Sequence, residues 1–304
     1  MSSVMNDRPL KLGFLGFGEA GHRFAQDLSA AGLKEIYAYS RSGAKAKPGD
    51  AKYTEAQAAG AQLVKSVREL CKRSDLIVAL TPGKAAITAA RAVSKHIRPE
   101  QIYVDASSAA VKTMEQVAQL LEGKGRFVDA AIMSPVPLNG IKALIGASGA
   151  DAEEFRALLA PYGMNIKVVG PKPGGASAMK LIRSVCMKGL SAVLMECLEA
   201  AQRYGVLEAA AADIAGSFDE RPFMQNMKRY VCGTAVHAER RIHEMADCLS
   251  LLGSLYSSTR MTKATRAKLM DVTKMGLRET FNAKEPDTIA AVMEAIVALG
   301  PAKV

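Results

Sequence analysis

The sequence predicts an α/β domain built on a doubly wound parallel sheet, followed by an all-α domain that a long interdomain helix opens. Between residues 11 and 170, short apolar runs alternate with helical stretches, which is typical of βαβ units. Beyond a Pro/Gly-rich break at residues 170–175, every segment has a helical pattern. We therefore divide the 304 residues into domains 1–170 and 171–304.

The individual elements follow from apolar patterning and from the residues that end each run. Asp75–Leu80 is almost continuously apolar, as expected for a strand buried on both faces. The predicted strands are Lys11–Gly16, Glu35–Tyr39, Ala61–Val64, Asp75–Leu80, Ile102–Asp105 and Arg126–Ile132, with two weaker ones at Ala143–Ala147 and Asn165–Val169. The predicted helices of the first domain include Glu19–Ala31, which Gly32 ends, and Asp151–Tyr162, which Asp151 and Glu154 cap as a pair.

The second domain begins with an unusually long predicted helix. Residues 176 to about 204 contain no Pro and are rich in Ala, Leu, Met and Val. A single helix of this length would extend about 43 Å, at about 1.5 Å per residue.

Composition excludes several classes of protein. The chain is 49% apolar and carries 40 basic against 30 acidic residues, which indicates a folded protein with a net charge of +10. Its five cysteines form no CxxC pair, which argues against a disulfide scaffold and favours a reducing cytoplasm. No apolar run is long enough to span a membrane, and the first ten residues lack the apolar core of a signal peptide. We expect neither a membrane nor a nucleic-acid partner.

The basic surplus has a simpler explanation than nucleic-acid binding. No nucleic-acid reading motif accompanies it, so it indicates a solvated surface or a basic pocket for an anionic small molecule. The sequence has no HExxH motif and no Cys–His cluster, so we predict no metal site.

A glycine-rich turn follows the first predicted strand and opens a helix. It has the pattern GxGxxG and comprises Gly16, Phe17, Gly18, Glu19, Ala20 and Gly21. In such a turn the first glycine allows a tight bend and the second lets the backbone approach a pyrophosphate. The third lets the helix pack close to the sheet. We predict dinucleotide binding; the alternative is a turn of this geometry without a ligand.

The residues after the second strand indicate which dinucleotide is preferred. An NAD site usually has an acidic residue here, for the ribose 2′-hydroxyl. This chain has Ser40 and Arg41 instead, followed by Lys45. A hydroxyl and a guanidinium suit a 2′-phosphate, so the sequence favours NADP over NAD. The alternative is a mobile basic loop.

Several motifs in this order resemble the β-hydroxyacid dehydrogenase superfamily, which includes 3-hydroxyisobutyrate and 6-phosphogluconate dehydrogenases. They are GFLGFGEAG (13–21), DLIVALTP (75–82), VDASS (104–108), GASG (146–149) and GGASAMKLIRS (174–184), with Glu196 and Gly205 later on. The resemblance covers about residues 10–205. It is nearest to the phosphogluconate-dehydrogenase-like branch whose C-terminal domain lacks a well-defined function. It implies a Rossmann-type domain, an NAD(P) cofactor, cofactor contacts at Leu80, Thr81, Pro82 and Ser107, and a homodimer formed through the α domain.

The resemblance also implies the catalytic groups. Lys180 matches the family's catalytic lysine, which transfers a proton while hydride moves between substrate and nicotinamide. Ser107 and Ser108 match the segment that holds the substrate carboxylate. The alternatives are a lysine that extends to solvent and a plain helix cap by either serine.

Two departures from the family pattern concern the substrate pocket. Ser184 stands where many members have an Asn, and Lys188 follows one turn later. Met133 and Ser134, followed by a proline, replace a Ser-Gly-Gly whose N–H groups grip a carboxylate in the family. Because proline has no N–H and methionine is bulky, we predict a pocket shaped for a larger or less polar substrate.

One helical stretch of the second domain carries His237 and Arg241 at i, i+4 spacing. Either residue could contact an anionic substrate; the alternatives are a solvated helix face and an ion pair between subunits. Taken together, the sequence predicts an NAD(P)-dependent oxidoreductase acting on a β-hydroxy carboxylate or its carbonyl form. Imine reduction is one alternative, although such relatives typically replace the lysine with Asp or Tyr. A non-catalytic NADP-binding protein is the other.

Overall fold

The computed structural model describes residues 9–300, so most of the segment examined for a signal peptide lies outside the described residues. The chain forms two compact units that divide between Ser184 and Val185. The long helix predicted after the Pro/Gly break passes through this division.

The first unit contains one eight-stranded sheet in the order β3-β2-β1-β4-β5-β6-β7-β8. Its strands are β1 (Lys11–Leu15), β2 (Glu35–Tyr39), β3 (Ala61–Leu63), β4 (Leu76–Ala79), β5 (Ile102–Asp105), β6 (Arg126–Ile132), β7 (Ile145–Ser148) and β8 (Ile166–Gly170). The predicted doubly wound fold is confirmed.

One junction departs from an all-parallel sheet. Strands β6 and β7 are antiparallel, while β7 and β8 are parallel to each other. The connection from β6 to β7, residues 133–144, holds an α-helix of only four residues, Val136–Asn139, and no helix of the length that usually covers a sheet in a parallel crossover. The last two strands therefore run opposite to the first six.

Helices cover both faces of this sheet. They are α1 (Glu19–Ala30), α2 (Ala51–Ala58), α3 (Val67–Arg73), α4 (Ala86–Val93), α5 (Val111–Leu121), α6 (Val136–Asn139) and α7 (Ala152–Leu159). Along β4, Leu76 and Val78 belong to one apolar core and Ile77 and Ala79 to the other. The alternation explains why this strand has an almost continuous apolar sequence.

The predicted capping pair at the start of α7 is wrong. Asp151 occupies the N-cap position but makes no side-chain capping hydrogen bond. Arg126, at the start of β6, donates to Asp151 Oδ1 at 2.8 Å and to Glu154 Oε1 at 2.9 Å. Both carboxylates are therefore drawn to the guanidinium instead of the helix N–H groups.

The second unit is helical throughout its described part, as predicted. Its helices are α8 (Gly175–Tyr204), which begins in the first unit, α9 (Leu207–Asp219), α10 (Phe223–Ser254), α11 (Arg260–Lys274), α12 (Leu277–Thr280) and α13 (Ile289–Leu299). Helix α10 has a kink at His237, where φ is −111° and ψ is 17°. Across residues 9–300, no helix combines the length and apolar character that crossing a bilayer requires.

Candidate active site

The glycine-rich turn between β1 and α1 has the geometry that an anion-binding loop needs. Gly16 has a φ of +98°, and a Cβ there would lie 2.7 Å from the carbonyl oxygen of Leu80. Gly16 therefore requires glycine. A Cβ on Gly21 would lie 3.0 Å from the carbonyl oxygen of Gly16, so α1 packs closely against the turn there.

Gly18 differs from the other two glycines because it faces open space. A Cβ at Gly18 would have no atom within 4 Å. Gly18 is also the N-cap of α1, and no side chain caps that helix end. The first N–H groups of α1 are thus available to a bound anion, and the helix dipole favours negative charge there.

The carboxyl ends of four strands meet around this turn. The N–H of Gly16 donates to the carbonyl of Tyr39 at 2.8 Å, and that of Leu80 donates to Leu15 at 2.8 Å. The N–H of Ala106 donates to Ala79 at 2.9 Å. The segments that follow β1, β2, β4 and β5 are therefore neighbours at one edge of the sheet.

Two hydroxyl groups at this edge are placed to bind a ligand. Both oxygens, Thr81 Oγ1 and Ser107 Oγ, are buried and have no hydrogen-bond partner among residues 9–300. Buried polar atoms in folded proteins are normally paired, so a ligand that reaches them would satisfy them. Both residues, like Leu80 and Pro82, are in the predicted set of cofactor contacts, and the residues present fit a dinucleotide.

A cleft of 620 Å³ lies beside the turn, within the size range of small-molecule sites. It is lined by Phe17, Gly18, Glu19, His22, Arg23, Ser40, Gly43, Lys52, Glu55, Leu63 and Pro137. Ser40 is in this lining as predicted, and its Oγ accepts from the Gly43 N–H at 2.9 Å. Arg41 and Lys45 are exposed and do not line the cleft.

Sequence reasoning missed the lysine that does line the cleft. Lys52 lies in the first turn of α2, and its Nζ donates to Ser42 Oγ at 2.6 Å. It follows the second strand by more than ten residues, outside the stretch that the dinucleotide pattern covers. Only the folding of α2 against this edge brings its amine into the lining.

The predicted catalytic lysine contacts one of the two predicted serines. Lys180 Nζ donates to Ser108 Oγ at 2.6 Å. Ser108 has a φ of +60°, an uncommon left-handed conformation for a non-glycine residue. Helix α5 begins only at Val111, with Ala110 as its N-cap. The alternative that either serine simply caps this helix is therefore wrong.

The buried end of β5 supports the serine loop. Asp105, fully buried, accepts from the Ser107 N–H at 3.0 Å and from the Tyr103 hydroxyl at 3.2 Å. Burial raises the pKa of Asp105. Hydrogen bonds from Ser107 and Tyr103 lower this pKa in part, and the nearby Asp129 carboxylate raises it further. Burial likewise raises the pKa of Tyr103.

An arginine that the sequence analysis did not single out lies next to the catalytic candidate. Arg183 Nη1 donates to the carbonyl oxygen of Met133 at 2.7 Å. Met133 is buried, and Ser134 and Ser184 are half-buried. The family pattern predicts a functional side chain at Ser184, four residues after Lys180, and none at Arg183, three residues after it.

A second buried carboxylate anchors the start of α8. Asp129 is fully buried and accepts from Ser177 Oγ at 2.7 Å, Ser177 N–H at 3.0 Å and Ser148 Oγ at 3.1 Å. Ser148 Oγ in turn accepts from the Ala176 N–H at 2.9 Å. Ser148 and Ser177 lie in two of the family motifs, but the sequence did not indicate this cluster, because its members come from three separate segments.

The remaining predicted substrate residues belong to the second unit. Lys188 is exposed on α8. His237 Nε2 lies 3.3 Å from Glu285 Oε1, and Arg241 Nη1 donates to Thr234 Oγ1. Their assignment to a substrate stays a prediction. Within residues 9–300, no group of three or more His, Cys, Asp or Glu is arranged to hold a metal ion.

Glu196, one of the family motif residues, has a structural partner in the second unit. It is buried and accepts hydrogen bonds at the start of α11, from Met261 N–H at 3.0 Å and Thr262 N–H at 2.8 Å. The hydroxyls of Ser258 and Thr262 donate as well. Burial alone would raise the pKa of Glu196, but these hydrogen bonds together lower it to about 2.

Comparison with known families identifies the first unit. Residues 11–170 match the NAD-binding domain of 6-phosphogluconate dehydrogenase, which is more than half of the chain. The chain belongs to this family. Residues 201–272 match a domain of unknown function, DUF1932, so the 6-phosphogluconate dehydrogenase-type NAD-binding domain is joined here to an uncharacterised helical domain. The predicted resemblance and the predicted dinucleotide cofactor are confirmed.

Three individual proteins show how this family member relates to others. The mitochondrial 3-hydroxyisobutyrate dehydrogenase of Drosophila melanogaster is 25% identical over 75% of this chain and 69% of its own. A conserved protein of unknown function, described as structurally similar to 3-hydroxyacid dehydrogenases, is 32% identical, covering 87% of this chain and 98% of its own, with a TM-score of 0.60. An imine reductase of Myxococcus stipitatus, solved with NAD⁺, is 20% identical over 94% of this chain and 99% of its own, with a TM-score of 0.71.

Proposed function

We propose that this protein is an NAD(P)-dependent oxidoreductase that interconverts a β-hydroxy carboxylate and its carbonyl form. The observation that carries the proposal is the contact between Lys180 Nζ and Ser108 Oγ, at 2.6 Å. It brings an amine to the loop after β5, beside the Ser107 hydroxyl that has no partner. Ligands of open α/β sheets bind at this carboxyl edge of the strands.

The cofactor is held by the turn and cleft described above. The N–H groups at the start of α1 would bind the pyrophosphate, since Gly18 leaves them accessible. We infer NADP preference from Ser40 and Lys52 in the cleft lining, with Arg41 and Lys45 close by in sequence. When bound, the cofactor supplies a hydride acceptor or donor.

Lys180 moves the proton. In oxidation the neutral amine takes the proton of the substrate hydroxyl while the C–H bond of the same carbon gives up its hydride. In reduction the ammonium returns that proton to the carbonyl oxygen. Ser108 holds Nζ through its hydroxyl, which fixes the direction of the amine. General acid–base catalysis of this kind contributes about 10²–10⁴-fold to a rate.

The substrate carboxylate is bound by Arg183 and by the serines near it. The Met133 carbonyl orients the Arg183 guanidinium, which has further N–H groups for an anion. This cation replaces the one backbone N–H that Pro135 removes from the segment after β6. We infer a substrate with an apolar part that contacts Met133.

Lys180→Met tests the proposal. We expect the variant to lose about 10²-fold or more in turnover, because its side chain transfers no proton, and to bind NADPH as the wild type does. The measurements are a fluorescence titration with NADPH and NADH, and turnover with hydroxy acids of varied length and with cyclic imines.

The outcomes separate the candidate functions. Normal turnover by Lys180→Met would remove the lysine from the mechanism. Wild-type activity on cyclic imines and on no hydroxy acid would establish imine reduction instead. Tight NADPH binding without oxidation by any carbonyl compound or imine would leave a dinucleotide-binding protein.

The cytoplasmic location that the cysteine pattern predicts is compatible with all three candidate functions. The described cysteines are all free.

A further inference from the structure

A row of three buried polar side chains crosses the sheet below the candidate active site. Asp105 of β5 is in register with Asp129 of β6, and Asp129 is in register with Ser148 of β7. All three residues are fully buried. Burying such groups in an apolar sheet is costly unless each is hydrogen-bonded, so the row calls for an explanation.

The row connects to both partners of the Lys180–Ser108 contact. On one side, Asp105 accepts from the Ser107 N–H and so fixes the loop that carries Ser108. On the other side, Asp129 accepts from the N–H and the hydroxyl of Ser177, one turn before Lys180. The contact at 2.6 Å between Lys180 and Ser108 joins the two sides, so Asp105, Asp129 and this contact form one hydrogen-bonded network.

Asp129 accepts its hydrogen bonds from Ser177 at the start of helix α8. The first N–H groups of a helix have no partner within it, so that end frays unless other groups bind them. Here Ala176 N–H binds Ser148 Oγ and Ser177 N–H binds Asp129, and Ser177 is almost fully buried. The first turn of α8 is thereby fixed to β6 and β7, and with it the base of the Lys180 side chain.

We propose that Asp129 is a positioning residue for Lys180, acting through Ser177 at the first turn of α8. The inference rests on the proposed function and identifies the residue that positions Lys180, the proton-transfer group of that function. A displacement of about 1 Å in a reacting group can cost about 10²-fold in rate, so a buried anchor one turn away is sufficient to control turnover. Asp129 itself touches neither substrate nor cofactor in this proposal.

Ser177→Ala and Asp129→Asn test the anchor. The alanine variant removes one donor and leaves Asp129 with the Ser177 N–H and Ser148, so it keeps the fold even if Asp129→Asn does not. Ser191→Ala is the matched control, because Ser191 lies on the same helix and its hydroxyl donates to the Met187 carbonyl one turn back.

Two readouts separate positioning from plain stability. The first is kcat against KM: we expect kcat to fall about tenfold in Ser177→Ala, with KM and the NADPH dissociation constant within about twofold. The second needs no turnover. Competitive acetylation, read by mass spectrometry, should label Lys180 faster relative to Lys188 by a factor of about 2–10. Ser191→Ala should change neither quantity.

Each outcome decides the inference. If both variants only lower the melting temperature, while kcat and the relative labelling of Lys180 stay at wild-type values, Asp129 is a structural residue and the proposal is wrong. If the wild type turns over no hydroxy acid or imine, the proposed function fails, but faster labelling of Lys180 in Ser177→Ala would still support the anchor. Unchanged labelling in that case would overturn both.

Discussion

At the scale of single residues, two glycines of the GxGxxG turn meet different requirements: one allows the backbone bend, and the other leaves space for the ligand. Gly16 has a positive φ and no room for a Cβ, whereas Gly18 has an extended conformation and open space. The two glycines of one motif are therefore required for different reasons.

Replacing each of them by alanine tests this separation. Gly16→Ala is expected to lower the free energy of unfolding by about 1–3 kcal/mol, because of backbone strain and the Leu80 carbonyl 2.7 Å from the new Cβ. Gly18→Ala is expected to unfold like the wild type and to bind NADPH at least about tenfold more weakly, since its methyl group occupies the approach of the pyrophosphate. Urea unfolding and fluorescence titration measure the two effects. Equal stability losses in both variants would contradict the separation.

Residue-scale predictions from sequence succeeded where a short local pattern was sufficient. The GxGxxG turn could be found because its residues are neighbours in the chain as well as in space. Lys180 was indicated by the family resemblance instead, since its contact Ser108 is 72 residues away in the chain. Lys52 and Arg183 could not be found, since their importance depends on which strand end their helices reach. Arg41 shows the converse: it has the expected chemistry at the expected place in sequence, and its side chain lies outside the cleft lining.

At the scale of elements, helix α11 depends on a carboxylate from another helix. Glu196 accepts from two N–H groups at the start of α11 and is buried, so it caps that helix at a distance in sequence. A negative charge at this position also interacts favourably with the helix dipole.

The low pKa of Glu196 gives this cap a predictable pH dependence. The pKa is about 2 in the folded protein and 4.5 ordinarily, so the charged form stabilises the fold above pH 4.5. This contribution to the free energy of unfolding is lost as pH falls from about 4.5 toward 2. We expect Glu196→Gln to be less stable than the wild type at pH 7, and this difference to shrink by pH 3. Urea unfolding at both values measures it, and a difference that does not change with pH would contradict the assignment.

The elements themselves could largely be predicted. Strands β5 and β6 have the predicted bounds, and α8 begins within one residue of the predicted start. The reversal of β7 and β8 could not be predicted, because apolar patterning identifies a strand without giving its direction. The Asp151–Glu154 prediction failed for a related reason: Arg126, 25 residues before Asp151, competes for both carboxylates.

At the scale of the whole molecule, α8 exposes many large apolar side chains. Ile182, Val185 and Met195 are 71%, 78% and 75% exposed. Within the second unit, part of the same helix lines a cleft of 630 Å³ with Met245, Leu251 and other apolar residues. Exposed large apolar side chains in this number are typical of a surface that binds a partner.

We propose that a second copy of the chain covers this surface, as the family resemblance implies. Light scattering is expected to give twice the mass of one chain. Val185→Glu combined with Met195→Glu should raise the fraction of monomer, because two charges would be buried in the interface. Leu138→Glu, at an exposed leucine on α6, is the control and should leave the mass unchanged. A wild-type monomer at all concentrations would exclude the proposal.

The reversed pair β7 and β8 determines how α8 approaches the reacting edge of the sheet. The last residue of β8 is in register with Ser148, which is in register with Asp129. Helix α8 therefore begins beside the middle of β6 and runs past Gly146 toward Met133. In the proposed reaction the flank of this helix, and not its tip, would therefore meet the substrate. Successive turns present Lys180 and then Arg183 and Ser184 along one line, so exchanging a single flank residue could change the chemistry of the pocket without rebuilding any loop.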